Sequence, residues 1–494
     1  MLLSELIAAL DCKKIEGDLK KEIKEIVYDS RHANPGALFA ALKGQKADGN
    51  LFIHQAIENG AEAILTEHIP EEKNREVNCW IEVNDSRYAL ALLANTFYQY
   101  PSRELTLIGI TGTNGKTTVA YLLQSILQAA GVKCGRLGTI SYHIGDTEIK
   151  AKLTTPEAVD IQRYLREMRT AGCEACVMEA SSHSLVLHRV DGCDFDVAIF
   201  TNFAREHLDF HKDMEEYFAA KKSLFYRLNN KPDGIAVVNL DDPRGEELLK
   251  IIKNKCVTFA LHQKADVRAV KFSLSAAGNE VEMETPMGSL KIKSALIGKP
   301  NISNMLAASA AAVGLGIKPE SIKKGIESLS YIPGRFEKID AGQDFMVIND
   351  FAHSGDALQR LLESLRKITK GKLITVFGCG GERDKGKRPL MGYYAALLSD
   401  VAIVTSDNPR SEDPVQIAKE VEEGILRADP KSNYMLILDR REAIKRAIEI
   451  AATGDAVIIA GKGHESYQLI GDKVIPWSDR EIAKDLLLKK MARA

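Results

Sequence analysis

From residue 105 onward, short apolar runs recur along the chain, each followed by a polar turn and then by apolar residues at helical spacing. LTLIGI (105–110), ACVMEA (175–180), VAIFTN (197–202) and GIAVVNL (234–240) have strand length and few polar breaks, which predicts buried strands. VAYLLQSILQAAG (119–131) has apolar positions at helical spacing and stops at a Gly, which predicts a helix. The alternation of the two argues a parallel sheet flanked by helices. Residues 266–297 differ: VRAVKFSL, VEMETP and SLKIKSALI alternate with turn signals, as a small antiparallel insertion does.

A second α/β series starts near Gly334. FMVIND, KLITVFG, VAIVTS, YMLIL and AVIIAG predict strands, and Leu358, Leu361, Leu362, Leu365 and Ile368 make one apolar helix stripe between the first two. The first hundred residues read as a small mixed α/β unit. It has strand-like runs on either side of Pro35-Gly36, a helix end and strand in AIENGAEAILTE, and a helix stopped before Pro101. MLLSELIAALDCKK reads as an amphipathic helix with no basic leader. The expected fold class is therefore α/β in three domains. These are a small mixed α/β unit over 1–100, a P-loop-type parallel-sheet domain over 101–333 and a Rossmann-like α/β domain over 334–494.

A length of 494 residues suits roughly two to four domains. The balance of 66 Lys and Arg against 68 Asp and Glu leaves no basic excess to drive nucleic-acid or membrane binding. No apolar run is long enough to span a bilayer. Eight scattered cysteines suit reduced thiols in a cytosol, and Cys173-x-x-Cys176, a single pair beside an apolar run, reads as buried structure.

Chemistry concentrates where strands end. Gly112-Thr113-Asn114-Gly115-Lys116-Thr117-Thr118 follows the first strand and opens a helix. Backbone N–H groups in such a loop cradle phosphates, Lys116 neutralises their charge, and the Thr117 hydroxyl reaches Mg²⁺. The loop is a variant, because Ile110 stands where a standard P-loop has its first Gly. Glu179, in EASSHS, ends another strand, as either a Mg²⁺ ligand or a surface carboxylate. His207 follows AIFTNFARE, and Lys221, in YFAAKKSLF, reads by itself as a solvated helix lysine. Asn301 and Asn304 precede an Ala-rich helix, as caps or as an amide pair for an adenine edge. Arg335 lies in a PGRFE turn, and Asp350 closes a strand. GCGGERDK (378–385), DNPR (407–410) and GKGHE (461–465) each follow an apolar strand, and three polar loops at neighbouring strand ends build one pocket.

In their order, TGTNGKTT, EASSHSL, NISN, GRFE and DFAH resemble the Mur ligase family over nearly the whole chain. YDSR, NPGALFAAL and KADG near the N-terminus look like the family's uridine-nucleotide unit. GCGGERDKGKRPLMG, DNPR and GKGHE look like the amino-acid pocket of the branch that adds the third amino acid. The resemblance implies an ATP-dependent amide ligase of cytoplasmic peptidoglycan precursor synthesis. It would join meso-2,6-diaminopimelate to UDP-N-acetylmuramoyl-L-alanyl-D-glutamate through an acyl phosphate, with Mg²⁺ as cofactor. It also implies a cytoplasmic monomer acting on small molecules, with no nucleic-acid or membrane partner.

The same resemblance implies the roles. Gly112 to Thr118, with Asn301, Arg335 and Asp350, would hold ATP. Thr117, Glu179, His207 and a carbamylated Lys221 would serve the metal, and Lys116, Glu179, His207 and Lys221 the catalysis. Ser30, Thr154, Thr155, Ser181 and Arg189 would hold the UDP-dipeptide. Arg383, Asp407, Asn408, Pro409, Arg410, Gly461 and Glu465 would hold the amino acid. Two departures from the family pattern bear on positioning: DFAHSG stands where DYAHTP is common, and Glu206 where Asp is common. Two other readings share the residues. One is a relative adding lysine, or glutamate to folate; Arg410 argues against the first and the uridine-type unit against the second. The other is a nucleotide-binding switch.

Overall fold

The computed structural model describes residues 1–44, 47–71 and 77–492. Lys46, the first residue of KADG, lies outside the described residues. Among the described residues three main sheets organise the fold.

In the first sheet the strands Cys12–Gly17, Cys79–Val83, Ala61–Thr66, Ala37–Ala40 and Glu25–Val27 lie side by side in that order. Only the first pair is antiparallel. The runs on either side of Pro35-Gly36 are thus parallel neighbours, joined through a 3₁₀ turn at Ser30–His32. The helix expected over the first 14 residues is a single turn, Leu3–Leu6. One turn already buries Leu3 and Leu6, and Cys12 onward pairs its backbone with Cys79–Val83 instead. A short helix gains too little by itself to compete with that pairing.

The second sheet has eleven strands. Thr106–Thr111 lies between Ala175–Glu179 and Val197–Phe200, parallel to both. Alternate residues face opposite ways. Ile108, Ile110, Val177, Val197 and Ile199 pack under the helices Lys116–Ala129, Lys299–Gly314 and Pro319–Ser328. Leu107, Cys176, Met178, Ala198 and Phe200 pack under Ala158–Thr170 and Met214–Leu228. Each such fully buried Leu, Ile or Phe contributes about 1.5–3 kcal/mol. The antiparallel segment expected at 266–297 is not a separate insertion. Val267–Ser275 joins Lys255–Ala260 in parallel, and Gly278–Thr285 and Gly288–Ser294 extend the same sheet. Val281, Met283, Leu290 and Ile292 enter the same core, which fixes that continuation.

The third sheet has the order Glu337–Lys338, Met346–Asp350, Ala456–Ala460, Leu373–Phe377, Val401–Val404 and Tyr434–Leu436. Gly355–Arg366 buries Leu358, Leu361, Leu362 and Leu365 on one face. Arg440–Ile450 and Asp479–Met491 cover the other, so this sheet is doubly wound. A hairpin of Tyr467–Ile470 and Lys473–Pro476 stands apart from it. In the second and third sheets strand order reverses beside Thr106–Thr111 and Met346–Asp350, which opens a crevice at the carboxyl ends of the strands. Cys173 and Cys176 are buried free thiols. Among the described residues no helix is long and apolar enough to cross a membrane.

Candidate active site

The loop after Thr106–Thr111 is held by close backbone approach. Gly112 has φ +140°, and a Cβ there would meet the Thr201 hydroxyl at 1.9 Å. Gly115 has φ +88°, and a Cβ there would meet the Asn304 carbonyl oxygen Oδ1 at 2.4 Å. Only Gly fits both positions. Lys116 opens the following helix and donates back to the carbonyls of Gly112 (2.9 Å) and Thr113 (2.8 Å). The Thr117 hydroxyl donates to Glu179 Oε2 at 3.0 Å, and Glu179 is 1% exposed. Its two oxygens also accept the backbone N–H (2.8 Å) and hydroxyl (2.9 Å) of Thr139. Glu179 is therefore a buried, oriented carboxylate facing the loop, not a surface one.

Lys221 is likewise no solvated lysine. It is 2% exposed, donates to the Gly112 carbonyl at 2.8 Å, and lies 4.3 Å from the Tyr217 ring centroid. Burial, reinforced by the neighbouring Lys116 charge, pushes its amine well below the ordinary lysine value. His207 has a left-handed backbone (φ +57°) and packs edge-on to His183, with ring centroids 4.8 Å apart. Burial pushes its imidazole down to about 3. Glu206 lies 3.7 Å from His207 Nε2 and 3.5 Å from His353 Nε2, bridging the second and third sheets. Against the burial that would raise it, the two imidazoles and Lys116 hold its carboxyl well below the usual range.

Asn301 and Asn304 lie inside the helix Lys299–Gly314, not before it. Neither caps it: Asn301 donates to the Ile297 carbonyl at 2.8 Å, and Asn304 donates to Asn301 Oδ1 at 3.1 Å. Gly298 and Pro300 open the helix in their place. Arg335 crosses from the third unit to the second. Its Nη2 donates to the Thr117 hydroxyl at 3.3 Å, and its guanidinium stacks 4.5 Å from the Phe351 ring centroid. Asp350 accepts the backbone N–H groups of Phe336 (2.7 Å) and Ala352 (2.8 Å), so it ties down the Gly334 turn. Ser354 caps the helix that follows. Burial raises the Asp350 carboxyl despite those bonds and Arg335.

Thr155 donates to the Glu179 carbonyl at 2.6 Å and lies 3.2 Å from the Ser181 hydroxyl. The Thr154 hydroxyl lies 3.3 Å from that of Thr139. These residues therefore adjoin the loop site. Arg189 already has a carboxylate partner, Glu157 at 2.7 Å, and also donates to the Thr155 carbonyl. Ser30 is not brought to the others. It is buried inside the first unit, where its hydroxyl donates to Gln55 at 2.6 Å.

The three polar loops of the third unit do converge. Gly381 N–H donates to the Asn408 carbonyl (2.9 Å), and Arg410 Nη1 donates to the Gly381 carbonyl (2.6 Å). Arg410 has a left-handed backbone (φ +54°), held by pairing with Leu469 and Gly471 of the hairpin. Asn408 donates to Glu465 at 2.9 Å. A Cβ on Gly461 would meet Asp407 at 2.7 Å. A Cβ on Gly380 would meet Arg410 Nη1 at 3.1 Å and Arg383 at 3.8 Å, so both guanidinium-bearing chains flank that glycine. Pro409 is buried behind Gly381.

Three features escaped sequence reasoning. Thr139 orients Glu179, although it lies in a stretch without motif character. Lys462, wholly buried, sits inside the GKGHE run and was visible only as part of it. Arg440 forms a fully buried pair with Asp479 (2.6 Å) and donates to the Ala460 carbonyl behind the pocket. No local pattern announces a pair 39 residues apart.

The family models for the Mur ligase family catalytic domain, Mur ligase middle domain and Mur ligase glutamate ligase domain match residues 22–98, 110–312 and 334–463. UDP-N-acetylmuramoyl-L-alanyl-D-glutamate–2,6-diaminopimelate ligase of Syntrophomonas wolfei is 44% identical over 491 residues, covering 99% of this chain and 100% of that one. The protein of the same name from Solibacter usitatus is 45% identical over 468 residues, covering 94% of each. A solved structure under that name superposes with a TM-score of 0.70 at 31% identity, covering 100% of both chains. With three family models along its length and relatives this similar from end to end, the chain belongs to the Mur ligase family.

Proposed function

We propose that this protein is the ATP-dependent ligase that joins meso-2,6-diaminopimelate to the D-glutamyl side chain of UDP-N-acetylmuramoyl-L-alanyl-D-glutamate, a step in peptidoglycan precursor synthesis. The observation that carries this is the pairing of a phosphate loop with a separate Arg-bearing pocket at facing strand ends. End-to-end similarity to relatives of that name supports it.

A carboxylate at neutral pH repels an amine nucleophile and has no good leaving group. The D-glutamyl side-chain carboxylate attacks the γ-phosphorus of ATP, ADP departs, and an acyl phosphate forms. The amine of diaminopimelate attacks the acyl carbon, loses a proton, and phosphate leaves with the former carboxylate oxygen. The chain's task is positioning and charge stabilisation. The loop amides and Lys116 hold the β- and γ-phosphates; Lys116 only has to turn from two loop carbonyls to reach them. Asn301 faces adenine, and Arg335 and Asp350 the ribose and phosphates. Thr154, Thr155, Ser181 and Arg189 hold the sugar–peptide portion, and Ser30 the uridine end once it leaves Gln55.

Mg²⁺ fits the donor set: the Thr117 hydroxyl and Glu179 carboxylate are hard oxygens 3.0 Å apart, and this ion keeps waters and substrate phosphates as its other ligands. Held by these two residues, it would supply positive charge to offset that of the phosphates. His207 and Lys221 serve a second position. Lys221 suits it as a carbamate, because only a neutral amine adds carbon dioxide and burial shifts this amine toward its neutral form. In the amino-acid pocket, Arg410 and Arg383 grip the distal carboxylate, while Glu465, Asn408 and Asp407 receive the amine.

We assign the uridine unit, ATPase and amino-acid domains to 1–100, 101–333 and 334–494, in a cytoplasmic monomer. Closure of the third on the second excludes water from the acyl phosphate. The test is phosphate release in single-omission mixtures. Release that needs ATP, the UDP-dipeptide and diaminopimelate together supports the ligase; release from ATP alone supports a switch.

A further inference from the structure

Lys462 is a fully buried lysine to which neither the mechanism nor the motif reading gives a task. Its ammonium donates to Asn408 Oδ1 at 2.9 Å and to Glu465 Oε2 at 3.0 Å, and lies 3.9 Å from Asp407 Oδ1. Its fourth neighbour is the Tyr467 ring, 5.9 Å away. Each of these partners belongs to one of the loops that converge on the amino-acid pocket or to the hairpin beside it.

The bonds decide orientation. Asn408 Oδ1 accepts from Lys462 and from the Leu469 backbone N–H at 2.9 Å, so the Asn408 amide can turn only its NH₂ toward Glu465. Glu465 in turn has Oε2 held by Lys462 and Asn408, which leaves Oε1 as the oxygen with room for a further partner. Two carboxylates, Asp407 and Glu465, share this single ammonium. The cluster therefore keeps one net negative charge, the sign that receives an amine. Without Lys462 the Asn408 amide keeps only the Leu469 N–H to fix its sense, and the two carboxylates lose the ammonium they share.

We propose that Lys462 is a positioning residue for the amino-acid substrate: it fixes Asn408 and presents one free Glu465 oxygen to the distal ammonium group. The proposal rests on the ligase reading above. It predicts an effect confined to one of three substrates, which a merely structural lysine does not produce.

The test uses full-length Lys462→Met and Lys462→Gln, with KM measured separately for ATP, the UDP-dipeptide and diaminopimelate. The expected result is a KM for diaminopimelate raised about ten-fold or more. The other two KM values stay within about two-fold, and Lys462→Gln, which keeps a donor, is less impaired than Lys462→Met. An equal rise for all three substrates, or a lowered melting temperature with all KM values unchanged, overturns the proposal. So does failure of both variants to fold, which makes Lys462 a folding element. If only Lys462→Met fails to fold, Lys462→Gln decides by the same criteria. A native enzyme that does not use diaminopimelate refutes the ligase reading itself, and the two failures are thereby distinct.

Discussion

Replacing Arg410 with Ala is expected to collapse the preference for diaminopimelate over L-lysine. The two amino acids differ at the distal end, where diaminopimelate carries a carboxylate beside its amine and lysine has the amine alone. Arg410 is half-buried, and its Nη1 donates to the Gly381 carbonyl, which leaves the remaining N–H groups of a planar fork for a carboxylate. Its left-handed backbone is fixed by the hairpin at Leu469 and Gly471, and Ala bears the same Cβ, so the substitution adds no backbone strain. Losing one partner of an enclosed charge pair costs about 2–5 kcal/mol. Half-burial puts Arg410 at the lower end, about 2 kcal/mol, which is about 30-fold. Lysine gains on the same change, because its ammonium no longer meets a cation. The assay is kcat/KM for both amino acids in native protein and Arg410→Ala. The native ratio should favour diaminopimelate and fall by about 30-fold or more in the variant. Equal use of both by the native protein, or an unchanged ratio, refutes Arg410 as selector.

Lys221→Ala should abolish ligation, and a small carboxylate such as acetate or formate should restore part of it; intact-protein mass and density at an unmodified ammonium in an active, metal-loaded crystal are the contrary findings to look for. Removal of residues after 333 should leave a fragment that folds, because its four core clusters lie within 3–332, yet cannot ligate without Arg335 and the amino-acid loops; product from that fragment would show the site to be complete without the third unit. Burial, helped by the Arg335 charge, pushes the His464 imidazole down to about 3. An unfolded His binds its proton near pH 6.5, so between those values the unfolded chain holds more protons and stability falls as pH drops from about 7 to 5. Denaturation midpoints should show this slope and a shallower one in His464→Phe; equal slopes would remove His464 as a cause.

Much of the architecture was legible because strand ends and loops coincide in this fold. The apolar runs at 105–110, 345–350 and 456–461 all became strands, and the polar stretches after them became the site. What sequence could not show was direction and burial. Lys221 and Glu179 look like surface charges until helix and sheet faces are assigned. Asn301 and Asn304 resemble caps because a Gly-Lys-Pro turn precedes them, yet Pro300 sits inside the first turn and pulls the helix start back to Lys299. The 266–297 strands resemble an insertion, since only tertiary pairing with Phe259 reveals that they prolong the sheet. Arg189 suggested a ligand carboxylate, and the chain supplies its own in Glu157. Arg440 and Asp479 were invisible because nothing local marks a buried pair between two helices.

The central claim is that the D-glutamyl carboxylate is activated by phosphoryl transfer before the amine attacks. The direct measurement is to label both oxygens of that carboxylate with ¹⁸O, run the complete reaction, and weigh the released phosphate by mass spectrometry. An acyl phosphate predicts one ¹⁸O in each phosphate released and one retained in the amide. Phosphate free of label, with ATP consumed and amide formed, would contradict the account.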